Sequence, residues 1–198
     1  LFDGRGGSVA ARIVEAGKRS VRCEIAGERI QSEPGPRVVL VQCLPRAGKL
    51  DDIVRMTTEV GVHTIHLALS EWAVARRAAD HKLERLERIA VEAARQAEQA
   101  WLPNLTPPRP LSEVLAEAPE AAFRGALLER SETGLPLEIA ANEAWLVVGP
   151  EGGLSPRDRD EIARAGFQPA SLGRSILRTE TAAVVGVGML ADRLRRGR

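Results

Sequence analysis

From residue 36 onward the chain alternates short apolar runs with longer segments whose apolar residues recur at helical spacing. VVLVQCL (Val38 to Leu44) predicts a strand covered on both faces. KLDDIVRMTTEVGV then sets Leu50, Ile53, Val54, Met56 and Val60 on one helical face, with Gly61 as the stop. HTIHLAL (His63 to Leu69) predicts the next strand. From Lys82 to Trp101, the residues Leu83, Leu86, Ala90, Ala93, Ala94, Ala97 and Trp101 mark one face of a long helix, with Glu and Arg opposite. Pro103, Pro107, Pro108 and Pro110 predict a loop, followed by a short helix around Leu111 to Glu117. Further strands are expected at Gly125 to Glu129, Ala144 to Gly149 and Pro169 to Gly173. Helices are expected over Pro156 to Ala165 and from Thr179 to about Leu194. Strands in alternation with helices need crossover connections, so the expected class is α/β, a largely parallel sheet with helices on both faces.

The first 35 residues have another texture. SVAARIV and RSVRCEIAG are short runs rich in Val, Ile and Ala around a Gly17–Lys18 turn, the pattern of a hairpin in a small β unit. SEPGPR follows, and Pro34, Gly35 and Pro36 predict a linker with a domain boundary near residue 36. A chain of 198 residues has room for one full domain and a small second one. With 44% hydrophobic and 28% charged residues and a net charge of +1, disorder and a highly charged tail are both excluded. No apolar run approaches the roughly 20 residues of a membrane span, and the first residues do not resemble a secretion signal, so a soluble cytoplasmic protein is expected. Cys23 and Cys43 are too few for a disulfide framework and read as reduced, buried small residues. Nucleic-acid affinity in so neutral a chain has to come from local arginine clusters.

Two stretches could carry chemistry. In VVGPEGGLSPRDRDEI, Gly149, Gly152 and Gly153 crowd the loop after a strand, with Ser155 placed as N-cap and Pro156 at the first helical position. Glycines let a ligand approach backbone N–H and C=O groups, and in open α/β sheets ligands bind beyond the carboxyl ends of the strands. On its own, such a loop is equally a tight connection. It matches neither the dinucleotide-binding nor the phosphate-loop glycine pattern. In SLGRSILRTETAAVVGVGML, a second loop brings Arg174, Ile176, Leu177, Arg178 and Thr179 past the same sheet edge. Taken singly, Ile176 and Leu177 read as core residues, and Arg178 and Glu180 as a charge pair at a helix start; the two loops together suggest a cleft. His63 and His66 are three apart in a strand and point to opposite faces, which makes no metal pair. There is no nucleophile elbow, and six aromatic residues without a tyrosine do not make a stacking platform. The basic ADRLRRGR terminus suits a helix C-terminus in solvent.

GPEGG (Gly149 to Gly153) and SLGRSILRTETA (Ser171 to Ala182), about twenty residues apart, together resemble the RsmE-like family of 16S ribosomal RNA uridine N3-methyltransferases. The resemblance extends over residues 36–198 and includes Lys49 to Val62, the Ser70–Glu71 pair, and RQAEQAWLP (Arg95 to Pro103). It implies a SPOUT fold whose C-terminal segment is threaded into a trefoil knot, a rarity among protein chains. It makes residues 1–35 look like the second half of a PUA-like RNA-binding domain. S-adenosyl-L-methionine is the implied cofactor, with no metal, and a homodimer binding 16S rRNA of the small ribosomal subunit is the implied assembly. The implied target is uracil 1498.

By the same resemblance, the loop of Gly149, Pro150, Glu151, Gly152 and Gly153 and the loop of Leu172, Gly173, Ile176, Leu177 and Thr179 would enclose the cofactor. Leu128 and Glu129, ending a third strand, would lie beside them. Arg178 is assigned to the charge that develops on uracil or to a flanking phosphate, with Glu180 orienting it; Arg174, Arg46 and Lys49 are the alternative cations. No residue declares itself as the base. Two departures from the family pattern, Trp72 after Ser70–Glu71 and Gln99 in Gln96–Ala97–Glu98–Gln99, each stand where the family usually has an arginine. They keep two alternatives open: a methyltransferase of the same fold acting on another rRNA or tRNA position, and a noncatalytic RNA-binding assembly factor. The apolar last helix (Ala182, Val184, Val185, Val187, Met189, Leu190) suggests a dimer interface.

Overall fold

The computed structural model describes residues 1–45, 48–72, 80–129 and 131–197; Arg46 lies outside them. The elements are β1 (Gly7–Ala16), β2 (Val21–Gln31), β3 (Arg37–Cys43), α1 (Lys49–Glu59), β4 (Thr64–Leu69), α2 (Asp80–Gln96), β5 (Asn104–Pro110), α3 (Leu111–Leu115), β6 (Phe123–Leu127), β7 (Glu143–Val148), α4 (Pro156–Arg164), β8 (Gln168–Ala170) and α5 (Thr179–Arg196). Six of the strands form one sheet in the order β5-β4-β3-β7-β6-β8, parallel at every pairing. The expected α/β class is therefore the observed one.

Strand β3 sits inside this sheet, which explains its apolar run Val38 to Val41. Val38 and Leu40 point to a core shared with Ile53 of α1, Leu86 of α2 and Leu190 of α5, all buried. Val39, Val41 and Cys43 point to the opposite core, against Leu111 and Val114 of α3 and Ile162. The chain winds outward from β3 through β4 to β5, then returns to build β6, β7 and β8 on the other side. The boundary between β3 and β7 is thus the place where the winding reverses, the position at which open α/β sheets take ligands.

Three expectations need correcting. The proline-rich stretch is not a loop: Asn104–Pro110 forms edge strand β5, pairing with β4 alone. Proline lacks the N–H of a ladder, a loss without cost on an edge that faces no further strand. The long helix stops at Gln96 and not at Trp101; Glu98 adopts a left-handed conformation (φ 54°) and turns the chain away. Trp101 instead bridges Arg5 and donates its indole N–H to Ser32 O at 3.1 Å, so its helical spacing was coincidental. Strand β6 covers Phe123–Leu127, which puts Leu128 and Glu129 just past its end.

The hairpin appears as expected, β1 antiparallel to β2, with Gly17 N–H donating to Ser20 O across the turn. It forms a sheet of its own, and Ile13, Val14, Val21, Ile25 and Ile30 are exposed on it. Cys43 is buried, but Cys23, on this solvated ribbon, is only half-buried. No helix among the described residues is long and apolar enough to cross a membrane.

Candidate functional site

A cavity of about 940 Å³ opens at the carboxyl ends of β7, β6 and β8. Both glycine-bearing loops border it. In the first, Gly153 N–H donates to Pro150 O at 2.9 Å, closing a tight turn that ends with Gly153 at φ +75°, a conformation favouring glycine. Gly149 allows the close approach of Leu154, whose Cγ would lie 3.1 Å from a Cβ added at 149. Leu154 is buried and anchors the loop. The helix that follows starts as its sequence dictates. Ser155 Oγ accepts from Asp158 N–H, and Asp158 Oδ2 accepts from Ser155 N–H, both at 3.0 Å, with Pro156 at the start of the helix.

Gly149, Pro150, Glu151 and Gly153 line the cavity, whereas Gly152 does not. Gly152 is exposed, and a Cβ built on it would meet nothing within 4 Å.

The second loop is hung from the segment after β6. Leu128 N–H donates to Ala170 O at 3.1 Å and Ser171 N–H to Thr133 O at 2.8 Å. Leu172, Gly173, Ile176, Leu177 and Thr179 line the cavity from this side, as do Leu128 and Glu129. Ile176 is 71% exposed, so its reading as a core residue fails; it is an apolar side chain at the cavity wall. The lining matches a nucleoside-type ligand, with leucines and Ile176 for an apolar ring system, Glu129 for hydroxyl donors, and Gly173 (φ +129°) leaving the backbone open.

Arg178 and Arg174 are exposed residues of this lining. Glu180 does not reach the cavity. Its carboxylate oxygens accept from Lys49 Nζ at 3.0 and 3.2 Å, across from the first turn of α1. Its own backbone N–H and then Lys49 hold the Glu180 carboxyl below the usual range, and Arg178 adds to this only through space. Lys49 lines the cavity and also lies 3.8 Å from Glu151 Oε1, so it faces both loops.

One residue without a sequence assignment lies directly beneath the site. Gln42 is fully buried, and its Nε2 donates to Cys43 O at 2.9 Å and to Thr179 Oγ1 at 3.2 Å, with Val148 O at 3.4 Å. Thr179 Oγ1 in turn donates to Gly149 O at 2.7 Å. A single amide in an otherwise apolar central strand was the signal available for it.

The two departures from the family pattern have different settings. Gln99 Nε2 donates to Glu59 O at 2.9 Å and so finishes the end of α1. Trp72 is 54% exposed, next to Glu71, whose N–H donates to Asp158 Oδ1 at 3.0 Å. Away from the cavity, His66 stacks on Trp145 with ring centroids 5.1 Å apart and bonds Thr106 Oγ1 through Nδ1, and His63 Nδ1 meets Thr64 Oγ1.

Comparison with known proteins locates this arrangement. A family model described as an RNA methyltransferase domain matches residues 32–191. The chain is 31% identical to a ribosomal RNA small subunit methyltransferase E of Synechocystis sp., over 96% of this chain and 64% of that protein. It therefore spans less than two thirds of that relative's length. A protein of the same name from Mycobacterium bovis is 30% identical over 95% of this chain and 75% of its own. Among solved structures, the ribosomal RNA small subunit methyltransferase E of Neisseria gonorrhoeae, bound to S-adenosyl methionine, superposes with a TM-score of 0.88 at 27% identity. That match covers 97% of this chain and 81% of the other.

Proposed function

Because the chain belongs to the RNA methyltransferase domain family, and within it to the ribosomal RNA small subunit methyltransferase E family, we propose that it methylates N3 of a uridine in 16S rRNA of the small subunit, using S-adenosyl-L-methionine. The observation that carries this reading is the cavity bordered by both glycine-bearing loops at the carboxyl ends of β7, β6 and β8. When bound, the cofactor supplies an electrophilic methyl group on a sulfonium. The chain's own task is to position and to stabilise charge. Gly149, Gly153 and Gly173 present backbone to the ligand; Leu128, Leu172, Ile176 and Leu177 cover its apolar part; Glu129 and Glu151 face its polar groups. Arg178, at the solvent-exposed mouth, would hold negative charge on the uracil carbonyl oxygens as N3 gives up its proton to water. Glu180 stays ionised against Lys49 and lends Arg178 long-range support.

We further infer the SPOUT trefoil knot. The segment after β6 touches the chain at both ends of the final stretch: Thr133 O accepts from Ser171, and Ile139 O lies 2.7 Å from where a Cβ on Gly197 would be. Residues 1–35 are read as part of a PUA-like RNA-binding domain and residues 36–198 as the catalytic unit, working in the cytoplasm as a homodimer through α5.

Incubating the protein with S-adenosylmethionine and unmethylated small subunits, then weighing the nucleosides, should reveal N3-methyluridine. Its absence would overturn the reading. Arg178→Ala should cost turnover on the order of 10²-fold while leaving cofactor affinity intact, since a group acting on developing charge contributes in the transition state. Equal turnover would remove Arg178 from that role.

A further inference from the structure

The geometry points to Gln42 and Lys49, both supplied by the β3–α1 unit, as positioning residues that set the first turn of α5 against the Gly149–Gly153 loop. The inference rests on the methyltransferase reading of the same cavity. A fully buried amide inside a parallel sheet is costly unless its groups are paired. Gln42 Nε2 is paired: it reaches a carbonyl of its own strand, the last carbonyl of β7, and Thr179 Oγ1. The hydroxyl passes the connection on to Gly149 O. One amide thus ties together the carboxyl ends of β3 and β7 and the start of α5, and Val148, Gly149 and Thr179 are all part of the cavity wall. Gln42 Oε1 remains buried without a hydrogen-bond partner, a cost accepted to keep an amide there.

Lys49 does the same at the mouth. Its ammonium takes both carboxylate oxygens of Glu180, the second residue of α5, and lies 3.8 Å from Glu151 of the other loop. The pair is partly buried, with side chains 32% and 17% exposed, so solvent screens it less than an ion pair in open water. Gln42 beneath and Lys49 above hold the two walls of the cavity at a fixed separation. A displacement of about 1 Å at a reacting centre can cost on the order of 10²-fold in rate, so both residues govern the reaction without touching the reacting atoms.

The test uses the whole chain, with S-adenosylmethionine binding by calorimetry and methylation of small subunits. If the wild-type protein binds no cofactor, the methyltransferase reading itself fails; if it does, the variants decide the present inference. Gln42→Leu and Lys49→Met should each weaken cofactor binding by about tenfold and reduce kcat by more than they raise the RNA KM. Gln42→Leu combined with Thr179→Val should cost less than the sum of the two single variants, and likewise Lys49→Met with Glu180→Gln, because the members of each pair share a contact. A cooperative urea transition for each variant shows that its losses come from folded protein, and Lys49→Met, at a partly exposed side chain, tests the proposal even where Gln42→Leu does not fold. Additive losses within each pair, or Gln42→Leu and Lys49→Met proteins with wild-type binding and turnover, would overturn the proposal.

Discussion

A side chain at Gly153 would need a left-handed backbone that L-residues adopt at a cost of roughly 1–3 kcal/mol, and it would point toward Glu129 of the cavity wall, whose Oε1 lies 3.9 Å from the added Cβ. One residue earlier, Gly152 has open space. Gly153→Val should therefore abolish calorimetric binding of S-adenosylmethionine, and Gly152→Val should reduce it by no more than a few-fold; the reverse order would show that the turn is seated the other way in solution. The contrast also marks how far the site was legible. Glycines, arginines and helix starts adjacent in the sequence announce loops at a sheet edge, so most of the cavity wall could be named from its motifs. Which glycine of the three faces inward depends on the turn closed by Gly153 and Pro150, and no motif carries that. Gln42 and Lys49 were harder still, since they meet Val148, Thr179 and Glu180 across 106 to 137 residues of chain.

The element that joins the site to the rest of the sheet is α4, and its first turn is closed by Asp158. That carboxylate is 3% exposed and accepts from Ser155 N–H and from Glu71 N–H, which fastens the end of β4 to the glycine loop. Asp158→Ala removes the cap and orphans two backbone donors, so a loss of about 1–3 kcal/mol is expected from urea denaturation. Asp158→Asn, whose amide oxygen can serve one of the two donors, should fall between; an unchanged midpoint for the alanine variant would show that water replaces the carboxylate freely. At this scale the buried strands and amphipathic helices were readable because apolar spacing reports the faces they bury. Strand β5 was not, because the same prolines that break a helix or a central strand are compatible with an edge, and only the sheet order reveals that Asn104–Pro110 is one. The end of α2 failed for a related reason: Trp101 has the right spacing, but Glu98 has already turned the chain.

For the whole molecule, pH is a probe of how the two faces of the sheet are covered. Burial first, and then nearby Arg37 for His63, holds both imidazoles below their ordinary value of 6.5; for His66, burial outweighs the opposing pull of Glu117. The unfolded chain then takes up protons first, so the stability fully present above about pH 6.5 is lost as pH falls toward the folded-state values. Glu117, held down by its hydrogen bond from Arg109, and Glu180 add a further loss below their ordinary 4.5. The urea midpoint should be lower at pH 5.5 than at 7.5, with the difference reduced in His66→Gln; equal midpoints would contradict the attribution. The exposed side of α5, where Val185 is 38% exposed beside half-buried Val184 and Met189, is the surface expected to pair. Sedimentation at micromolar concentration should give twice the 21.4 kDa chain mass, and a monomer would refute the pairing. The prolines of β5 bear on how such copies can meet. Pro107, Pro108 and Pro110 sit on one border of the sheet, and the other border is a three-residue strand containing Pro169. Neither border of this six-stranded sheet offers a continuous row of N–H groups to a passing strand, so a further copy cannot extend it edge to edge from either side.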